Sequence, residues 1–194
     1  MSDRSGSGIN PILAVIGAIV IAGGIIAGYL WSTWTGPVEQ GQLLSLTTYS
    51  IHRELSTGRA LGGLVGAKDI YDEEIVVADV RIRSTTKMPL YLNDMWANLT
   101  LDDGTEVHSS GASNQSYNKV FIAYPKLAPV KTQPIRRNIT IQPGQVLEGQ
   151  MIFNFPISQK QWEGRKDFKI HVRFLHHRIL ILDHPGKVAT VGKN

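Results

Sequence analysis

An uninterrupted apolar run near the amino end constrains this chain more than any other feature of its sequence. Residues 11–31 read PILAVIGAIVIAGGIIAGYLW and contain no charged side chain. As a helix rising about 1.5 Å per residue, the run is about 30 Å long, which is the thickness of the hydrocarbon core of a bilayer. It is apolar on every side, which argues against a helix that lies flat in the interface. The sequence therefore predicts one transmembrane helix over residues 11–31, preceded by a short tail over residues 1–10.

The residues in and around this helix predict its contacts. Aromatic rings favour the headgroup region, so Tyr29, Trp31 and Trp34 are expected at the membrane interface. Gly24 and Gly28 have the small-xxx-small spacing of helices that pack closely, which predicts contact with another membrane helix or with a second copy of this one. The alternative is a cleaved signal peptide, but the apolar core of a signal peptide spans only about 7–15 residues.

The distribution of positive charge predicts the orientation of the helix. Arg4 lies in the short tail, whereas the first positive residue after the helix is Arg53. Positive residues close to a membrane span tend to stay in the cytoplasm. We therefore expect a protein that crosses the inner (cytoplasmic) membrane once, with its amino terminus in the cytoplasm and its larger part in the periplasm or outside the cell.

After a linker over residues 32–42, the hydrophobic pattern changes to an alternation with period two. Val80 and Ile82 alternate with Arg81 and Arg83, and residues 168–174 (FKIHVRF) alternate in the same way. Such alternation is typical of strands with one buried face. We predict strands over residues 43–53, 74–84, 90–101, 106–109, 120–124, 135–141, 147–155, 168–174 and 179–182.

Residues 43–183 show no long helical period, and residues 158–163 suit a single helical turn capped by Ser158. Consecutive strands without crossover helices predict an all-β fold, namely an antiparallel, immunoglobulin-like β-sandwich of Greek-key type over residues 43–183. Residues 184–194 are expected to form a tail. The chain has no cysteine, so no disulfide can hold this domain, and burial of apolar side chains must do so.

Four segments of the domain carry a resemblance to a known family. They are EEIVVADVRIRST, LTLDDGTEV, ITIQPGQVLEGQMIFNFP and DFKIHVRF, and the resemblance covers residues 74–174. In this order they resemble the membrane-anchored immunoglobulin-like domains of unknown function of bacterial envelope proteins. The resemblance implies a fold and an anchor, and it implies no catalytic motif. The chain departs from it in a long insertion over residues 110–134 and in its basic final strands.

Motifs that carry enzyme chemistry are missing from the sequence. There is no His-Glu-x-x-His, no Gly-x-Ser-x-Gly and no glycine-rich loop that ends in Gly-Lys-Ser or Gly-Lys-Thr. The six histidines do not have the spacing of metal ligands. We therefore expect no catalytic residue, no cofactor and no metal.

Two sets of residues are candidates for contact with a partner or with lipid. Basic side chains lie on the polar side of two predicted strands, and a positive sheet face attracts anionic headgroups or an acidic protein. The apolar side chains of a glycine-rich loop form the second set. The candidates are Arg81, Arg83, Lys169, His171, Arg173, Leu61 and Leu64. An ordinary solvated face is the alternative, and nothing in the pattern indicates nucleic-acid binding.

Taken together, the sequence predicts a non-catalytic, single-pass membrane protein that is an accessory or interaction subunit of a larger membrane assembly. The insertion over residues 110–134 is longer than an ordinary sandwich loop and is a further candidate contact. A membrane-anchored sensor for a small ligand or ion is the first alternative, and an envelope enzyme is the second.

Overall fold

The computed structural model describes residues 11–33, 39–56, 68–183, 185 and 188–191. The chain divides into two compact units, Met1–Gly36 and Pro37–Asn194. The first contains helix α1 (Pro11–Thr33), whose described side chains are exposed, as Val15 is at 58% and Ile26 at 60%. Counted over the residues that the structure describes, no helix reaches the length and mean hydropathy of a membrane-spanning segment.

The second unit consists mainly of strands. In chain order, its described elements are β1 (Glu39–Ser56), β2 (Lys68–Ser84), β3 (Leu90–Thr100), β4 (Glu106–Ser110), α2 (Asn114–Ala123), a 3-10 helix (Pro125–Val130), β5 (Ile139–Ile141), β6 (Val146–Phe155), α3 (Gln159–Glu163), β7 (Asp167–Phe174), β8 (Leu180–Leu182) and β9 (Val188–Val191). β1 begins inside the stretch predicted as a linker, and β9 lies in the stretch predicted as a tail.

The strands form two antiparallel sheets. The first sheet has the order β6-β2-β1-β9, and the second has the order β4-β3-β7-β8 with β5 paired to β3. One hydrophobic cluster takes buried side chains from both sheets, such as Val80 and Phe153 from the first and Leu99 and Ile170 from the second. The prediction of an all-β, antiparallel class is confirmed, and the two-layer packing is compatible with a β-sandwich.

Turn residues end the strands where the sequence predicts them. Gly104, after Asp102 and Asp103, has φ +88° and donates its backbone N–H to the carbonyl of Leu101 at 3.1 Å. Gly144 has φ +74°, and the N–H of Gln145 donates to the carbonyl of Gln142 at 3.0 Å. A positive φ at the third residue of a turn, directly after a proline at the second, is the signature of a type II turn, which sends the chain directly into β6.

The short helix α3 closes one end of the domain. Ser158 caps it, because its hydroxyl accepts from the N–H of Gln161 while the Gln161 side chain accepts from the N–H of Ser158. The predicted single turn with this cap is confirmed. Trp162 is buried, with its ring 5.4 Å from that of Phe168 and 6.3 Å from that of Phe155.

The insertion over residues 110–134 differs from the prediction. The strand expected over residues 120–124 is wrong, because these residues belong mostly to α2. Ser113 caps this helix by accepting the N–H of Ser116 at 3.2 Å, and Tyr117 and Phe121 are buried one turn apart. A run of apolar residues at 120–122 suits a strand as well as a short helix, so its packing decides between them.

Candidate functional site

The outer faces of the two sheets differ in what covers them. On the first sheet, α2 and the 3-10 helix lie over β1, β2 and β6. A second hydrophobic cluster forms there, joining sheet residues to helix residues: Ile51, Ile75, Val77 and Ile152 with Tyr117, Phe121 and Leu127. The insertion, predicted as a candidate contact, is therefore largely used to bury this face of its own domain.

A polar network fastens the insertion to the first sheet. Asp79 accepts hydrogen bonds from Ser45 Oγ at 2.6 Å and from Gln150 Nε2 at 2.9 Å. Gln150 also donates to the carbonyl of Val130 at 2.8 Å, and the hydroxyl of Tyr117 lies 2.8 Å from both Gln150 Oε1 and the Thr132 carbonyl. Burial raises the pKa of Tyr117, so its hydroxyl stays protonated and remains a donor.

The outer face of the second sheet carries a row of side chains across four strands. Register pairs Ser110 of β4 with Trp96 of β3, Trp96 with His171 of β7, and His171 with Ile181 of β8. We call these four residues the Trp96 row. The rings of Trp96 and His171 are stacked, with centroids 5.2 Å apart and planes 1° apart, and Ile181 is 41% exposed.

Charged side chains surround the Trp96 row, and most of them are paired. The guanidinium of Arg173 lies 5.5 Å from the Trp96 ring and 3.3 Å from Asp94, which also pairs with Arg137 at 2.9 Å. Lys169 pairs with Asp167 on the same strand. These pairs leave the face nearly neutral, so it is an aromatic surface with charged edges instead of a strongly positive one.

His171 is the titratable group at the centre of this face. Burial lowers its pKa, and the charges of Lys169 and His108 lower it further. Its Nε2 is buried and has no hydrogen-bond partner among the described residues. The imidazole is therefore neutral at pH 7, and it contacts Trp96 through its flat face.

The structure brings only part of the predicted basic surface together. Lys169, His171 and Arg173 share the outer face of β7, as the alternation predicts. Arg81 and Arg83 lie on β2 in the other sheet, and Arg81 is paired with Glu148 at 2.5 Å. The predicted basic side chains therefore belong to two different layers and do not form one continuous face.

The remaining predicted residues lie elsewhere. Gly24, Gly28 and Tyr29 are exposed on α1, and a Cβ at either glycine would meet nothing within 4 Å among the described atoms. Leu61, Leu64 and Trp34 lie outside the described residues, as does the side chain of Trp31.

Sequence reasoning missed Trp96. On β3, buried Met95, Ala97 and Leu99 alternate with outward Trp96 and Asn98. A tryptophan at an outward position of an alternating strand was the available signal. Its neighbours His171 and Ile181 follow only from the register, which the sequence does not contain.

A polar cleft lies at the end of the domain that α3 closes. It has a volume of about 590 Å³ and is lined by β1, β2 and α3 through Ser50, Ile51, His52, Asp72, Ser158, Gln159, Lys160 and Glu163. His52 Nδ1 lies 2.6 Å from Asp72, and this hydrogen bond raises the pKa of His52. The Ser50 hydroxyl donates to Glu74 at 2.5 Å, so it is engaged by a carboxylate and not by His52.

The residues that the structure describes contain no group of three or more His, Asp or Glu side chains placed to hold a metal ion. The Ser50, His52 and Asp72 side chains, although close along the hairpin, do not form the serine–histidine–acid relay of a hydrolase, since Ser50 is hydrogen-bonded elsewhere.

Comparisons with known proteins add little to this geometry. No family model matches the chain, and no curated protein matches it. Among solved structures, it is similar to a functionally unknown protein from Listeria monocytogenes EGD-e, with a TM-score of 0.39 and 9% identity. That similarity covers 79% of this chain and 81% of the other, and at this TM-score it carries no argument about fold or function.

Proposed function

We propose that this protein is a non-catalytic accessory or interaction subunit of a larger membrane assembly. In this proposal α1 crosses the inner membrane once, with the amino terminus in the cytoplasm. The β domain, an immunoglobulin-like sandwich, lies outside the cytoplasm and contacts another subunit. It binds neither nucleic acid nor a cofactor.

The observation that carries the proposal is the contrast between the two outer sheet faces. The chain covers one face with its own insertion, while the other presents the Trp96 row, with a stacked Trp–His pair and the exposed Ile181. Tryptophan and arginine are the side chains that most often dominate the energy of protein interfaces. A half-buried aromatic row with paired charges at its edge suits contact with a protein surface that is itself mainly apolar at its centre.

The anchor is supported by the side chains of α1. Its 23 residues correspond to about 35 Å of helix, and the exposed apolar side chains Val15, Ile16 and Ile21 lie on different sides of it. Each Å² of apolar surface left in water costs about 25 cal/mol, so such a helix is stabilised by transfer to an apolar medium.

Photo-crosslinking tests the interaction surface. With p-benzoylphenylalanine at position 181, we expect an adduct of one defined mass in membranes that hold the chain, and we expect Trp96→Ala to abolish it. The matched control places the same group at position 122, where Ile122 is 78% exposed on the insertion. Adducts of equal yield from both positions, or an adduct at position 181 whose yield Trp96→Ala does not change, would refute the proposal.

Membrane extraction tests the anchor and its orientation. We expect the native chain to resist alkaline carbonate and the double variant Ile19→Arg/Ile26→Arg to be released, since an arginine in a span costs about 3 kcal/mol. In intact spheroplasts, added protease should digest the β domain. A domain that is protected there, but digested after lysis, would show that the orientation is reversed.

Helix contact is a separate part of the proposal. Gly24 and Gly28 lie one turn apart on α1, and a Cβ built at either glycine would meet nothing within 4 Å outside the adjoining backbone of the helix. Gly24→Ile/Gly28→Ile should reduce crosslinking within the membrane to a partner helix or to a second copy of the chain. Unchanged crosslinking would remove this contact from the proposal and leave the Trp96 row to be judged by its own test.

A membrane-anchored sensor for a small ligand is the second candidate function. The polar cleft favours it, because its volume of about 590 Å³ lies within the range of small-molecule sites.

A further inference from the structure

The Trp96 row has a titratable ring at its centre, and one nitrogen of that ring is shielded from water. The ring of His171 is stacked on that of Trp96, with centroids 5.2 Å apart and planes 1° apart. Its Nε2 is buried and has no hydrogen-bond partner among the described residues. Register places Ile181 of β8 opposite His171 on the other side. The imidazole therefore lies between an aromatic ring and an aliphatic side chain, where a positive charge is poorly solvated.

The charged groups along β7 supply His171 with no counter-charge of their own. Lys169 and Arg173 lie two residues before and after His171 and share its face of the strand. Lys169 is held by Asp167, and Arg173 is held by Asp94 at 3.3 Å. The two carboxylates are therefore engaged by cations that lie closer to them along the strand or across it.

The strands β3 and β4 bring a second imidazole and a carboxylate that is already paired. His108 of β4 has its ring 6.4 Å from that of Trp96, on the row that His171 completes. Asp94 of β3 pairs with Arg137 at 2.9 Å, in addition to its pair on β7. Neither strand thus compensates a positive charge on His171 through these groups.

Two further carboxylates near this face, Glu106 of β4 and Asp183 after β8, act on Lys169. The pKa of Lys169 is raised chiefly by the hydrogen bond to its ion-pair partner and then by these two carboxylates. Burial lowers the pKa of His171 most, and Lys169 and His108 lower it further. The surroundings of His171 therefore favour its neutral form from every strand that is packed against it.

We infer that acidification releases the partner from the Trp96 row, because the partner binds the neutral form of His171. This regulation rests on the proposed function of the row as a partner contact. A partner surface that is apolar at its centre removes more of His171 from water and offers no acceptor to a protonated ring. The Trp96 ring offers little compensation, because the guanidinium of Arg173 already lies 5.5 Å from its centre.

The direction of the effect follows from proton linkage. Since the partner removes His171 from water, the pKa of His171 is lower in the complex than in the free chain. As pH falls through the pKa of the free chain, the free chain binds more protons than the complex does, so the affinity declines. One linked proton lowers the affinity by up to about tenfold per pH unit. Above about pH 7 the ring is neutral in both states, and the affinity should not depend on His171.

Photo-crosslinking at two pH values tests the inference on the full chain. Membranes that hold the chain are solubilised in mild detergent and diluted until the contact is unsaturated, and p-benzoylphenylalanine at position 181 reports it. We expect the adduct at pH 7.5 and a yield at least about threefold lower at pH 5.0. His171→Gln in the same chain removes the titrating ring, so its adduct yield should be nearly equal at the two pH values.

Two further variants keep the result interpretable. His52→Asn changes an exposed histidine of β1, in the other sheet, and should retain the whole loss at pH 5.0. His108→Gln removes a neighbour that lowers the pKa of His171, so the loss should begin at a higher pH. This shift tests the inference even where His171→Gln fails to fold.

The outcomes separate this inference from the proposed function. An adduct that depends on Trp96 but has equal yield at both pH values would overturn the pH regulation and leave the interaction surface standing. An equal loss at pH 5.0 in the folded His171→Gln chain, or a loss that begins at a lower pH in the His108→Gln chain, would do the same. Absence of the adduct at pH 7.5 would overturn both.

Discussion

At the scale of single residues, Gly149 lies where the end of the insertion closely approaches β6 of the first sheet. A Cβ at this position would lie 2.6 Å from the carbonyl oxygen of Gln133 and 2.8 Å from a side-chain carbon of Ile135. The backbone of the next residue, Gln150, is hydrogen-bonded to the backbones of Gln133 and Ile135, so this stretch has little room to move away. Glycine is therefore required here by a close approach of two backbones.

We expect Gly149→Ala to lower the free energy of unfolding by about 1–3 kcal/mol, because the added methyl group must displace a backbone segment. Urea denaturation measures the effect. The control is Gly164→Ala, where the nearest atom would be the Lys160 carbonyl oxygen at 3.4 Å and the change should be within about 0.5 kcal/mol. Equal losses for the two variants would contradict the argument from close approach.

His171 predicts the direction of one pH effect. Because burial lowers its pKa in the folded state, the unfolded chain takes up this proton first as pH falls below about 6.5. The unfolded state then binds more protons, so the free energy of unfolding declines with falling pH until the folded pKa is reached. His171→Gln should lose less stability than the native chain between about pH 7 and pH 5, as measured by urea midpoints.

The contribution of His52 to stability depends on pH in the opposite direction. Its pKa is raised by the hydrogen bond to Asp72, so its stabilising contribution is fully present below about pH 6.5 and disappears as pH rises through the folded pKa. His52→Asn should therefore cost more stability at acid pH than at alkaline pH. If both histidine variants shifted the pH profile in the same direction, the assignment of their environments would be wrong.

At the scale of elements, the insertion acts as a cover. Phe121 is 6% exposed and packs with Tyr117 against the first sheet, whereas its neighbour Ile122 is 78% exposed. Adjacent residues on one short helix thus have opposite environments, and they offer a matched pair of variants.

Phe121→Ala should destabilise the domain by about 3 kcal/mol, the usual cost of truncating a buried phenylalanine, and Ile122→Ala should change it by less than about 0.5 kcal/mol. Chemical denaturation distinguishes them. A small effect of Phe121→Ala would mean that the cover is not part of the cooperative unit.

The elements that the sequence assigned most directly have one buried face. β3, β7 and residues 78–84 of β2 alternate, and alternation alone assigns their inward residues. α2 was missed because a helix of ten residues has too few turns for a clear period, and its stability comes from packing. The continuous run Ile75–Ala78 did carry a signal, since a strand apolar on both sides needs a cover on both faces.

The candidate site was predictable only in part for a related reason. The shared face of Lys169, His171 and Arg173 follows from alternation within one strand. The position of Trp96 beside His171, and the separation of Arg81 from Arg173, depend on which strands are neighbours. Sheet order is set by contacts distant in sequence, and one sequence does not specify them locally.

At the scale of the whole molecule, both hydrophobic clusters lie within residues 43–182. All the buried side chains that form these clusters are therefore supplied by the second unit. We expect a chain beginning at Pro37 to unfold cooperatively, with the urea midpoint of the full chain in mild detergent. A non-cooperative transition, or a midpoint much lower than that of the full chain, would show that the domain needs residues 1–36.

The pairing of β1 with β9 has a consequence for biosynthesis. Glu39 lies opposite Val191 and Gln42 opposite Val188, so β1, which is synthesised early, pairs with β9, which is synthesised late. Until the ribosome has released those residues, β1 is paired along this stretch only with β2, and its other edge has no partner strand. The domain therefore completes its folding only after translation of this stretch is finished, and a prematurely terminated chain would present an open strand edge to proteases and chaperones.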